Sequence, residues 1–214
     1  MKYHLNKDPY DCEILFPENL ERELSPGITV LTGCNGSGKS TILHAIKEQY
    51  SQADNCKVFS WDGRYDKGYQ KDFALESQQY DLLASLSFSS EGEEINTNLG
   101  ILVQKIGSFL RKNQDKDIII LLDGIDSGLS VDNIIEMKEF FRNFIIPDVK
   151  SMGHECYIVM PANEYELARG EQCVDARSGE EVSFRDYEAY RKYILDSRIE
   201  KDHREQTRRN GKNS

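Results

Sequence analysis

Nine residues, Gly33 to Thr41 (GCNGSGKST), hold three glycines, a lysine and three hydroxyls, with Gly33, Gly38, Lys39 and Ser40 at the spacing GxxxxGK[ST]. That spacing suits one task, which is to hold a chain of phosphates. Gly33, Gly36 and Gly38 permit a tight loop whose backbone N–H groups turn inward, with Asn35 and Ser37 between them. The Lys39 ammonium then reaches the outer phosphates, Ser40 offers a hydroxyl to magnesium, and Thr41 enters a helix whose positive end favours anions. A glycine-rich turn without chemistry is the plainer alternative. Against it stands a second stretch, IIILLDGIDSGLS from Ile118 to Ser130, in which an apolar run ends at Asp123. A carboxylate at the end of a buried strand beside such a loop holds the magnesium shell. The position after it is Gly124, so the site has no acid where a water-aligning group is needed. Asp126, three residues on, is a candidate water-orienting group, with loop stabilisation as its alternative role.

Elements that position these residues can be read from periodicity. Ile28 to Leu31 forms a short buried strand entered through Pro26 and Gly27, and a helix is expected from Lys39 to about Tyr50. Lys57 to Ser60 is the next strand, and Trp61 to Gln79 reads as irregular. Leu99, Val103, Ile106, Phe109 and Leu110 recur at three- and four-residue spacing and predict an amphipathic helix over 93–112. Ile118 to Leu122 is apolar throughout, as in a central parallel strand covered on both faces. Ile134, Ile135, Phe140, Phe141 and Phe144 predict a further helix that Pro147 stops. Cys156 to Met160 is another buried strand, and Asn163 with Glu166 predicts a capped short helix. Residues 173–175 and 181–183 read as a hairpin, and Tyr187, Tyr190 and Ile194 share one side of a last helix. Strands alternating with helices predict an α/β fold with a mainly parallel sheet flanked by helices.

The spelling GxNGxGKST followed by LLDxxxSGLS resembles the ATP-binding-cassette superfamily of phosphate-loop ATPases, including the soluble heads related to SMC and DNA-repair ATPases. The resemblance spans about residues 28–170 and implies a phosphate-loop NTPase fold with a reduced helical subdomain, over about 65–112, that uses ATP and Mg2+. In that family a signature segment precedes a helix between the two motifs, and Ser90-Glu91-Gly92-Glu93 takes that place here. Ser90 and Gly92 would then meet a nucleotide held by a second subunit, in trans, making ATP the glue of a dimer. A plain capping box, Ser90 with Glu93, is the alternative. A carboxylate at Glu91 beside a triphosphate is unfavourable unless it points away. Three positions depart from the family: its catalytic Glu is Gly124, its switch His falls in Pro161-Ala162-Asn163, and the Asp closing its SGLD loop is Ser130. The family glutamine that senses magnesium has Gln70, Gln78 and Gln79 as competing candidates, and Tyr10 or Phe16 are candidates to stack on the base.

Composition bounds the rest. The chain has 214 residues, 38% apolar and 30% charged, which suits a single soluble domain over 1–214. No apolar run nears a membrane span and the start has no secretory leader pattern, so a cytoplasmic protein without membrane insertion is expected. Five cysteines without CxxC pairs read as reduced, partly buried thiols. Cys34 inside the loop is a small filler, with sensitivity to alkylation as the other reading. The net charge of −10 argues against general nucleic-acid affinity. The tail over 198–214 holds six basic and three acidic residues, so it carries +3 and leaves −13 on the remainder. It reads as a solvated helix end, with nucleic-acid contact as its alternative.

Taken together, these features predict a nucleotide-gated dimerisation switch with slow or partner-dependent ATP hydrolysis, working as a homodimer or with an unidentified effector subunit. Loss of the water-aligning acid weakens turnover and leaves binding intact. Two alternatives differ in kind. A small-molecule kinase would also use the loop, but needs an Arg-bearing lid, and Arg64, Arg111 and Arg142 are scattered. A non-hydrolysing scaffold subunit is the limit of zero turnover. No guanine-reading NKxD signal is present, which makes ATP the default nucleotide.

Overall fold

The structure is a computed structural model that describes residues 1–5, 20–63, 93–126 and 129–211. Within these residues a short antiparallel pair, β1 (Lys2–Leu5) and β2 (Leu20–Glu23), precedes the strand that feeds the loop, β3 (Gly27–Thr32). Then follow α1 (Lys39–Tyr50), β4 (Cys56–Asp62), α2 (Glu93–Lys112), β5 (Asp117–Asp123) and α3 (Val131–Phe140). A π turn (Phe141–Ile145) leads into α4 (Ile146–Ser151), β6 (Cys156–Pro161), α5 (Tyr165–Ala168), β7 (Gln172–Asp175), β8 (Glu181–Val182) and α6 (Tyr187–Gly211).

The main sheet has the order β4-β5-β6-β3-β7-β8, parallel except for the β7–β8 pair. This is the α/β architecture with a mostly parallel, helix-flanked sheet that the alternating pattern predicts, and it is compatible with a phosphate-loop NTPase fold. The continuous apolar run in β5 has a direct explanation. Ile118, Ile120 and Leu122 join the core beneath α2 and α3, while Ile119 and Leu121 join the core with Ile42, Leu43 and Ile46 of α1. Successive side chains of a strand point to opposite faces, so a strand covered on both sides must be apolar at every position. Tyr3, Leu5 and Leu24 extend the α1-side core, which is the packing reason for β1 and β2. From β3 the chain crosses by α1 to the far edge at β4, whereas β6 returns to the other side of β3 at β7. Such a reversal leaves a crevice at the carboxyl ends of the strands, where β3 and β5 deliver the loop and Asp123.

Several expectations need correction. The strand predicted over 57–60 runs from Cys56 to Asp62, and Trp61, expected in irregular chain, is buried in it with the Lys105 ammonium 4.5 Å from its ring centre. Pro147 does not stop the helix. The π turn re-phases the chain so that Pro147 falls in the first turn of α4, where its missing N–H is not needed. The helical run ends instead at Gly153, whose N–H donates to the Lys150 carbonyl at φ 86°. Ile135 and Phe144 stay 38% and 39% exposed, although Phe144 stacks on Phe140 at 5.6 Å. Asn163 gives α5 no side-chain cap, for the helix begins at Tyr165 and the Glu164 N-cap makes no side-chain bond. Tyr187 and Tyr190 do lie on one side of α6, where both meet the Tyr165 ring at 6.0 and 5.7 Å, although Tyr187 at the helix start stays 56% exposed.

Ser130, where the resembled family has Asp, caps α3: its hydroxyl accepts from the Asn133 N–H at 3.3 Å and donates to Asn133 Oδ1 at 2.7 Å. Of the expected helical subdomain, 93–112 packs on the sheet as α2, with Phe109 edge-on to Phe59. The remainder of it lies outside the described residues. Cys34, Cys56, Cys156 and Cys173 are free thiols and buried. Among the described residues no helix is long and apolar enough to cross a membrane.

Candidate functional site

Between β3 and α1 the chain makes the predicted loop. Gly33, Gly36 and Gly38 have φ of 136°, 76° and 94°, backbone geometry that a side chain would resist. This conformation turns the chain back on itself, and the Ser37 N–H donates to the Cys34 carbonyl at 3.1 Å. Helix α1 then starts at Lys39 with Gly38 as its N-cap and no side-chain cap bond, which leaves its first N–H groups to other acceptors.

Lys39 is only 8% exposed. Its ammonium donates to the Gly33 carbonyl at 2.7 Å and the Cys34 carbonyl at 3.2 Å, bridging the loop from within. Burial holds its pKa below the ordinary lysine value, and the charges of Cys34, Asp126 and Asp123 partly offset this. An anion in the loop would favour the charged form further.

The loop and the end of β5 share one cavity of about 460 Å³. Asn35, Gly36, Gly38, Lys39, Ser40 and Thr41 line it from one side, and Asp123 and Gly124 line it from the other, with Pro161 and Asn163 completing the wall. Ser37 does not line it. The Ser37 hydroxyl is buried without a hydrogen-bond partner, against Gly33. Asp123 is half-buried at the strand terminus, and its carbonyl accepts from the Gly63 N–H at 2.9 Å. Next to it Gly124 has φ 62° and its carbonyl lies where a Cβ on Gly63 would be 2.8 Å away, so two glycines let β4 and β5 close together at this edge.

The donor set fits a magnesium-bound polyphosphate. It combines the uncapped amides at the start of α1, a buried ammonium, one hydroxyl at Ser40 and one carboxylate at Asp123, and such a cation usually keeps water and phosphate oxygens in the rest of its shell. Among the described residues there is no group of three His, Cys, Asp or Glu side chains that could hold a metal ion without such help.

Asp126 sits differently. It is 2% exposed, and its Oδ2 accepts the N–H groups of Asn163 at 2.5 Å and Glu164 at 3.0 Å, while Oδ1 accepts from the Asn163 side-chain amide at 3.0 Å. Those bonds fix the chain leaving β6, and thus the Asn163 wall of the cavity. A second cavity, of about 510 Å³, shares Asn35 and Asn163 with the first and is lined also by Asp126, Tyr190 and Arg198. It lacks Lys39, Ser40 and Asp123, so the residues suited to a phosphate chain and its cation line the smaller one.

Cys34 is 3% exposed, in keeping with a filler. Ser90, Glu91 and Gly92, the glutamines 70, 78 and 79, Tyr10, Phe16 and Arg64 lie outside the described residues, as do Ser127 and Gly128. Arg111 donates to Ser108 at 3.0 Å and Arg142 pairs with Glu171 at 2.5 Å, and neither lines the loop cavity.

Sequence reasoning missed Ser197 and Lys201, which touch the loop from α6. Their signal was a helix spacing of four continuing from Tyr193, hidden because the residues are polar.

No curated protein matches the chain. Residues 11–48, which carry the loop and most of α1, match the family model described as an AAA domain, so this stretch is similar to a phosphate-loop ATPase.

Proposed function

We propose that the chain binds ATP with magnesium and acts as a nucleotide-gated dimerisation switch whose hydrolysis is slow or depends on a partner. One observation carries the reading: the loop, Lys39, Ser40 and Asp123 line a single cavity of about 460 Å³. The loop amides and the start of α1 bind the phosphates, and Lys39 exchanges its bonds to the Gly33 and Cys34 carbonyls for bonds to the outer phosphates. When bound, the magnesium ion neutralises charge between those phosphates, and Ser40 and Asp123 are the groups that would hold it. Gly124 presents only backbone, and Asp126 has its oxygens engaged by Asn163 and Glu164. A site without a water-aligning group loses about 10²–10⁴ in rate while still binding. Binding without prompt turnover is the behaviour of a switch.

The dimer follows from the resemblance of 28–170 to cassette ATPases, with Ser90 and Gly92 as groups acting in trans. Scattering of the protein with Mg-ATP, Mg-ADP and no nucleotide tests it. A doubled mass with Mg-ATP alone is expected, and one mass in all three states, with and without candidate partners, contradicts the switch. Gly124→Glu should raise turnover, because it restores an acid beside Asp123, at a stability cost of about 1 kcal/mol for a side chain at φ 62°. Transfer of labelled phosphate to a metabolite pool would favour the kinase reading instead.

A further inference from the structure

Helix α6 presents one face to the strands and loop of the site, through positions 190, 193, 197 and 201, the spacing of a single helix face. The Tyr193 hydroxyl donates to Asp175 Oδ2 and lies 3.3 Å from the hydroxyl of Thr32, the residue before the loop. The Ser197 hydroxyl accepts from the Cys34 N–H at 3.3 Å. The Lys201 ammonium donates to the Asn35 carbonyl at 3.2 Å. Its Nζ and Cε lie so near Gly36 that a Cβ there would be 2.6 and 3.3 Å from them. An ion pair of Glu200 with Arg177 ties the same turn of α6 to the chain after β7.

One helix face thus meets Thr32, Cys34, Asn35 and Gly36 in succession, while Ser197 and Lys201 are not among the cavity-lining residues. A glycine-rich loop loses much entropy when it is ordered, and a backbone that turns amides inward leaves carbonyls such as that of Asn35 needing donors elsewhere. The contacts from α6 meet both needs from the outer side.

We propose that Ser197 and Lys201 are positioning residues that brace the outer backbone of the phosphate loop, so that nucleotide binding and the docking of α6 are thermodynamically linked. The proposal rests on the nucleotide reading. Linkage is reciprocal: a brace that favours the binding form of the loop must itself be tightened by the bound nucleotide. Because the brace holds backbone and does not touch the outermost phosphate, it acts alike on ATP and ADP.

The test compares wild type, Ser197→Ala, Lys201→Ala, the double variant and Lys201→Arg. Titration with Mg-ATP and with Mg-ADP is paired with amide hydrogen exchange over 193–203 and a circular-dichroism melt to check folding. Lys201→Ala should weaken both nucleotides about fivefold, the size of one lost hydrogen bond, and Lys201→Arg should restore most of the loss. Mg-ADP should slow exchange over 193–203 in the wild type and not in the double variant. A double variant that binds like wild type, or α6 amides indifferent to nucleotide in a wild type that binds it, overturns the brace alone. Absence of binding to the wild type overturns the nucleotide reading, and the brace with it.

Discussion

Truncating Asp126 to alanine should cost about 2–4 kcal/mol of stability, whereas Asp126→Asn should cost about 1 kcal/mol and keep turnover within a few-fold of wild type. The magnitudes follow from the three bonds at this carboxylate. Alanine leaves the N–H groups of Asn163 and Glu164 without their acceptor, at about 1–3 kcal/mol each, with the low end favoured because the neighbouring cavity admits water. Asparagine can keep its oxygen at the Oδ2 position for both backbone donors. Its amide nitrogen then faces the Asn163 side chain, which can rotate to offer its own oxygen, so only the charge assistance is lost. Urea denaturation followed by circular dichroism gives the stabilities, and phosphate release gives the rates. Asp126→Ala within about 0.5 kcal/mol of wild type would show that the 163–164 turn is held by something else. Asp126→Asn that keeps its stability but loses about 10²-fold in turnover would show that the carboxylate orients the attacking water.

Two further outcomes follow from buried groups. Burial raises the Cys156 thiol to about 12 from an ordinary value of 9.0, so the unfolded chain gives up this proton first; the contribution is complete below pH 9 and is lost as pH rises towards 12. Between pH 9 and 10.5 this one group should cost about 2 kcal/mol, and denaturant titrations of Cys156→Ala across that window should show a correspondingly flatter loss. Cys173, raised to about 11, adds loss of the same sign. Lys138→Met should destabilise by about 3 kcal/mol in thermal or urea unfolding, because the buried ammonium binds Glu171 at 3.1 Å and the carbonyls of Glu166 and Arg169 at 2.7 Å each. Wild-type stability in that variant would mean that Arg142 alone is a sufficient partner for Glu171.

Strong periodic signals translated directly into structure. The unbroken apolar run of β5 demanded cover on both faces, and the glycine and lysine spacing of 33–41 required a turn from strand to helix, because few other conformations satisfy those residue types. What escaped was set by tertiary context. Nothing local in Lys2–Leu5 or Leu20–Glu23 marks a strand pair, and β1 and β2 exist because Tyr3, Leu5 and Leu24 cover the core above α1. Pro147 was legible as a helix breaker, but not the π turn that makes it harmless. Asp126 read as a candidate for chemistry or for loop support, and only the fold brings the amides of residues 163 and 164 to it. Lys201 falls in the tail that reads as a solvated helix end, and Ser197 just before it carries no signal, since a polar side chain that meets loop backbone leaves no apolar period to detect.

The most direct test is calorimetric titration of folded wild-type protein and of Lys39→Ala with ATP in the presence of magnesium. Lys39 both bridges the loop carbonyls and lines the cavity shared with Asp123. Saturable heat at one site per chain in the wild type, weakened by at least about tenfold in Lys39→Ala, is the predicted result, since a lost bond to a charged group costs about 1.5–3 kcal/mol. No binding by the wild type, or equal affinity in both proteins, would contradict the assignment of this cavity to a triphosphate.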